Sequence, residues 1–178
     1  LNRLAASFTK PMGELTLSDI DIERVEDVLE GQAFVADADA YIDDDLQLNI
    51  SVTQRVPLLR VMAENGQNYY LDEDGRRMDL DSHFTPHIPV MHVARETQAT
   101  MGYRFVKATQ GDAFWNALTD QLSMNDHGEL VLHPRLAGHE IVLGDANETA
   151  HKKRNLLAFY RAHVQRGNLR NYKRIDLT

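Results

Sequence analysis

Eight histidines, two acid clusters and a single tryptophan are the residues here whose chemistry invites a reaction, and there is no cysteine. The missing thiol excludes a cysteine nucleophile and a thiolate metal centre, and it is compatible with an oxidising or a reducing compartment. His83 and His87 stand four apart, the spacing of a helical metal pair, but Pro86 lies between them and breaks such a helix. His133 and His139 flank Pro134 and Gly138. Without H-E-x-x-H, zinc would need ligands from scattered positions, so surface or hydrogen-bonded histidine is the expectation. Asp43-Asp44-Asp45 and Asp72-Glu73-Asp74-Gly75 have the composition of calcium loops. They lack the D-x-D-x-D-G spacing and its following glutamate, so they read as turns. Trp115 follows Phe114 behind a helix cap at Asp112 and reads as core. No G-x-G-x-x-G, Walker A or G-x-S-x-G sequence occurs. No cofactor and no metal is implied, and paired carboxylates would need a cleft to do acid–base work.

Charge narrows the partners. The 178 residues hold 27 acids and 19 bases, a net of −8. Duplex nucleic acid is therefore a poor partner, because its affinity comes mainly from neutralised phosphates. The charge is also uneven. From His151 onward stand eight basic residues and one acid, Asp176, so that end carries +7 and the preceding 150 residues −15. Such a basic stretch is either a solvated helix face or a surface for an acidic partner or lipid headgroups. No run reaches about 18 apolar residues, so no membrane-spanning helix is expected.

These residues need elements to hold them. Leu1, Leu4, Ala5 and Phe8 follow a helical period, which Pro11-Met12-Gly13 ends, and the chain reads as part of a longer protein. A second helix, capped by Asp21, carries Ile22, Val25, Val28 and Leu29 and stops at Gly31. Phe34–Ile42 and Leu46–Thr53 alternate as strands around the Asp43–Asp45 turn. After Pro57 come short strands over 58–62 and 68–71, paired around Asn65-Gly66. Further strands are expected over 87–93, 122–124, 129–133, 141–143 and 173–177. Short helices are expected over 103–108 and after Asp112, and a longer one over 147–165, with Gly167 beyond its end. The fold class is α+β. Residues 1–56 form a small unit of helices packed on a sheet, and residues 57–178 an antiparallel β-rich domain with flanking helices.

The order of these features resembles the periplasmic part of the FtsQ/DivIB cell-division proteins. Its marks are Phe34-Val35, the strand leading into Gln54-Arg55-Val56-Pro57-Leu58, and Tyr70-Leu71 before the Asp72–Gly75 turn. Phe114-Trp115, the stretch Leu132 to Gly144, and the closing helix with Leu156, Phe159 and Tyr160 before Tyr172–Leu177 resemble the Bacteroidetes branch. The resemblance implies a POTRA domain over 1–56, without its first strand, and an FtsQ-type β domain over 57–178. It also implies a single-pass inner-membrane protein whose anchor precedes Leu1 and whose globular part is periplasmic.

On that resemblance the protein is not an enzyme. It is a divisome scaffold that recruits FtsB-like and FtsL-like partners, with other division proteins reached through the POTRA region. Binding would proceed by strand addition, in which a partner segment completes an exposed β edge. The implied edge is the last strand, with Arg166, Arg170, Tyr172, Arg174, Ile175, Asp176 and Leu177 as partner-binding residues. Tyr172, Arg174 and Asp176 are expected to face outward and Lys173, Ile175 and Leu177 to lie on the other face, with Ile175 and Leu177 anchoring the strand in the core. Ile175→Pro is expected to abolish binding by removing a ladder donor. The alternatives are a POTRA docking module of an outer-membrane assembly or secretion system, and a periplasmic enzyme with an unfamiliar site.

Overall fold

Residues 20–80, 85–135, 138–164 and 166–178 are described by the computed structural model. The helix expected over Leu1–Phe8, the Pro11–Gly13 loop and His83 lie outside them. The chain divides into two compact units, Leu1–Val56 and Pro57–Thr178.

In the first unit, Asp21 accepts a hydrogen bond from the Arg24 amide at 3.1 Å and starts helix α1, Ile22–Glu30. Val25 packs on Ala40, with Ile22, Val28, Leu29 and Leu48 around them. Strands β1 (Val35–Ile42) and β2 (Leu48–Gln54) form an antiparallel pair in which Ala38 faces Val52 and Ala40 faces Ile50. The acid turn is built by Asp43, whose carboxylate accepts from the amides of Asp45 and Gln47 and from the Asn49 side chain. Those bonds, the Gln47 amide foremost, hold its carboxyl below the usual range. Leu46, read from the sequence as the first residue of the strand, is instead the left-handed residue of this turn at φ 62° and is exposed. Its hydrophobicity imitates the alternation of Leu48, Ile50 and Val52, while the aspartate network dictates the backbone.

Among the described residues the second unit is a mixed sheet of eight strands with three α-helices. The strands are β3 (Pro57–Ala63), β4 (Asn68–Asp72), β5 (Arg77–Met78), β6 (Val90–Val93), β7 (Thr119–Met124), β8 (Leu130–Pro134), β9 (Glu140–Gly144) and β10 (Arg174–Asp176). The helices are α2 (Ala99–Ala108), α3 (Ala113–Leu118) and α4 (Thr149–Val164). Strand order is β10-β9-β8-β7-β6-β3-β4-β5. Antiparallel pairings prevail, but β3–β6, β6–β7 and β9–β10 run parallel. The last two follow from helical crossovers, since a chain that leaves one end of a strand and returns through a helix arrives in the same direction. Alternation reports which face a strand buries and is silent on its direction.

One row of side chains crosses this sheet. Tyr69, Val61, Met91, Leu122, Leu132, Ile141 and Ile175 are aligned by the register from β4 to β10. All are buried, in one cluster with Phe105, Trp115 and Leu156 of the three helices. Asp112 caps α3 through the amides of Phe114 and Trp115, and its carboxylate also takes the Lys153 ammonium at 2.6 Å. That ammonium foremost lowers the Asp112 pKa. The Asp72–Gly75 turn closes on the Asp72 carboxylate, which accepts from the amides of Asp74 and Arg76. Tyr103 of α2 donates its hydroxyl to the Glu73 carbonyl at 2.8 Å and so docks that turn. Helix α2 begins four residues before the expected position, with the Gln98 side chain accepting from the amides of Ala94 and Arg95 ahead of it.

Gly102 lets α2 lie against the sheet. A Cβ added there would stand 2.0 Å from the Met91 sulfur, and Met91 has no exposed surface. Gly102→Ala is therefore expected to lower stability by about 1–3 kcal/mol through overpacking, measured as the urea midpoint at constant slope.

Candidate functional site

The Tyr172–Thr178 segment ends the sheet because its alternation puts Ile175 in the core and leaves Arg174 and Asp176 in solvent. It reaches its place through α4, followed by Gly167 in the left-handed conformation, and through a 3-10 turn over Leu169–Asn171. Strand β10 pairs in parallel with β9, and among the described residues with no other strand. The Lys173 carbonyl accepts from the Glu140 amide at 2.8 Å, and the Leu177 amide donates to the Val142 carbonyl at 2.9 Å. Lys173, Ile175 and Leu177 therefore turn their backbone groups toward β9. By the strand's alternation, the N–H and C=O of Arg174 and Asp176 point outward.

That geometry revises the expectation for Ile175. Its amide is an internal donor to β9, so proline there would break the sheet's own ladder and leave the outward donors in place. Ile175 is buried and Leu177 half-buried, both against the helices. Tyr172, expected outward, is half-buried instead. Its ring meets Phe159 at 4.9 Å and His163 at 4.7 Å, so it pins the start of β10 to α4. Arg174 and Asp176 share a face at 3.4 Å. The Asp176 carboxylate also takes the Thr178 amide and hydroxyl, and these bonds, the amide foremost, lower its pKa. Arg166 and Arg170 are exposed just upstream.

A groove of about 920 Å³ opens beside this edge. Ile175, Leu177 and Thr178 line it, as do Asn155 and Phe159 of α4, with Gly144 and Asp145 also in its wall. The loop there is held by Lys152, a buried lysine that composition reads only as part of a basic run. Its ammonium donates to the Asp145 carbonyl, the Asp145 carboxylate and the Asn147 carbonyl at 2.9–3.0 Å. Asp145 is drawn down to about 2 by that ammonium first and by Asn147 second. The spacing of Asp145 and Lys152 across a strand–helix junction was the available signal, and it is visible only once the helix start is known.

The other residues singled out for chemistry are dispersed. Among the described residues no three histidine, aspartate or glutamate side chains gather as a metal site. His139 is buried, with its Nε2 2.8 Å from the Tyr160 hydroxyl, whose pKa burial raises to about 12. Ser123 Oγ lies 2.8 Å from His133 Nε2, a nucleophile–base contact that sequence reading missed. Among the described residues no carboxylate bonds the other ring nitrogen, so the orienting third member of a triad is lacking there.

Among known proteins, a family model described as FtsQ/DivIB, C-terminal related, matches residues 56–178. A search of the curated proteins found no match.

The Asp145–Lys152 contact gives a pH dependence of defined sign. Folding lowers the Asp145 pKa from 3.8 to about 2. Its stabilisation is therefore complete well above the unfolded value and is lost as pH falls through the folded one. Asp145→Asn is expected to make the fall in thermal midpoint between about pH 5 and pH 2 shallower than in the unaltered protein.

Proposed function

The chain belongs to the FtsQ/DivIB C-terminal related family, which ties it to cell division, and we propose that it acts there as a scaffold capturing its partner by strand addition at β10. Members of that family are non-enzymatic division proteins. The observation that carries the reading is the outward row of N–H and C=O groups on Arg174 and Asp176, at the end of a sheet whose other face of contact is already filled. A partner strand laid beside β10 would complete four backbone hydrogen bonds there, two for each of these residues. Its side chains on the helix side would lie over the groove beside Phe159.

Charge supports the same edge. Arg166, Arg170, Lys173 and Arg174 are exposed around it in a chain of net −8. Such a rim favours an acidic flank on the partner and speeds encounter more than it adds affinity. We read the partners as FtsB-like and FtsL-like proteins, with the division complex assembled outside the cytoplasm and this chain carried on an inner-membrane anchor. Among the described residues no helix is long and apolar enough to cross a membrane. We read residues 1–56 as a POTRA-type module that meets further division proteins.

The test separates outward from inward donors. Proline is tolerated on an edge strand where its missing N–H would face solvent. Arg174→Pro should therefore keep the fold and weaken capture of an FtsB-like periplasmic segment by about tenfold or more beyond Arg174→Ala. Ile175→Pro should instead destabilise the protein itself by about 3 kcal/mol, an internal ladder defect. Titration calorimetry with circular dichroism as the folding control reads both. Equal affinity of the Arg174→Pro and Arg174→Ala proteins would remove strand addition at β10. Arg166→Glu with Arg170→Glu should slow association and flatten its salt dependence, read by stopped flow.

A further inference from the structure

The second unit holds a cavity of about 350 Å³ that shares no lining residue with the groove beside β10. It opens where the ladder stops. Leu58, Ile88 and Thr119 line it, and they stand two residues ahead of Arg60, Val90 and Gln121, which are in register on β3, β6 and β7. Pro89 brings no N–H, and β6 pairs with both neighbours only from Val90 onward. Across β7 from it, Thr119 faces Pro134, which again has no N–H. Val106, near the end of α2, completes an apolar wall with Leu58 and Ile88.

One polar group in that wall is unmatched. Thr119 is 4% exposed, and its hydroxyl has no hydrogen-bond partner among the described residues. A buried hydroxyl in that state destabilises the fold that holds it, and the cavity is where a partner can reach it. The neighbouring groups define the class of partner. Arg135 gives Nε to Asp120 at 3.1 Å, which leaves the two Nη groups of its fork. The exposed Asn116 side chain adds an amide at the rim. No aspartate or glutamate is among the described residues that line the cavity, in a chain of 27 acids. The end of α2, whose bare carbonyls would repel an anion, is covered. The Thr109 hydroxyl reaches the Phe105 and Val106 carbonyls at 2.8 and 3.2 Å, and the Gln110 amide donates to the Lys107 carbonyl. One acceptor is present as well, because the Gln110 side chain gives its N–H to Glu73 and keeps its oxygen.

We propose that this cavity captures the free C-terminus of a polypeptide that ends in a branched aliphatic residue. The terminal carboxylate takes the Arg135 fork and the Thr119 hydroxyl. The last side chain fills the wall of Leu58, Ile88 and Val106, and the last amide N–H donates to the Gln110 oxygen. The chain leaves past His87 and Gly111, both exposed. The donors around Arg135 select against a blocked end, since an amide there would set N–H groups against N–H groups and bring no charge. This inference is independent of the reading given to β10.

The probes are acetyl-alanyl-leucine, its C-terminal amide, and 4-methylpentanoate, which keeps the carboxylate and the aliphatic body without the amide N–H. Titrated into the whole chain and followed by NMR, the acetylated acid should shift the backbone amides of Thr119 and Val106. It should bind about tenfold tighter than either of the other two. Thr119→Val keeps the shape and removes the hydroxyl. It should raise the thermal midpoint of the free protein, because the unpaired group is gone, and weaken the acid about fivefold. Arg135→Gln should abolish the preference for the acid over its amide. Equal affinity of acid and amide, or no shift at Thr119 with millimolar acid, would overturn carboxylate capture. Equal affinity of 4-methylpentanoate and the acetylated acid would assign the cavity to a small free acid and overturn the chain terminus. Unaltered affinity in Thr119→Val would overturn the part given to the hydroxyl.

Discussion

A single row of apolar side chains, running from Tyr69 on β4 to Ile175 on β10, is what the larger unit depends on. Every strand of the sheet except β5 contributes one member, and the five between Tyr69 and Ile175 have no exposed surface. In a strand, a shift by one residue would turn every side chain to the opposite face. Burial of Ile175 therefore sets more than the position of one residue. It decides that Arg174 and Asp176 present their backbone to solvent and that Lys173, Ile175 and Leu177 present theirs to β9. The polarity of the candidate edge is a consequence of core packing across the sheet as much as of its own sequence.

Several acidic residues serve the backbone. Asp43, Asp72, Asp112 and Asp145 each turn a carboxylate onto nearby amides, closing a loop or starting a helix. Glu26 and Glu30 do the same across elements, reaching from a helix to a strand. The basic residues are divided. Lys152 and Lys153 are spent inside the fold on Asp145 and Asp112, whereas Arg166 and Arg170 remain at the surface.

Much of the fold was legible in the residues, because local signals and tertiary packing agree. Asp21 and Asp112 start the helices they were expected to start, and Asn65-Gly66 joins the strands on either side of it. Other features escaped. Strand direction escaped because alternation is symmetric under reversal. Leu46 escaped because an apolar residue in a turn continues the periodicity of the strand behind it. The role of Tyr172 escaped because an aromatic residue one step before a strand can follow the strand or the preceding helix, and here Phe159 and His163 win it. Of the candidate edge, the alternation of Arg174, Ile175 and Asp176 was readable, but which amides face outward required the pairing partner.

The contact between Met91 and Gly102 has a redox consequence. The thioether is sealed between strand and helix, with no exposed surface for a peroxide to approach. Its sulfoxide forms when local opening exposes the sulfur, and the added polar oxygen would hinder repacking of α2 on the sheet. The fraction of Met91 oxidised under a steady dose of peroxide thus records how often the centre of the domain opens, a chemical clock built into the packing.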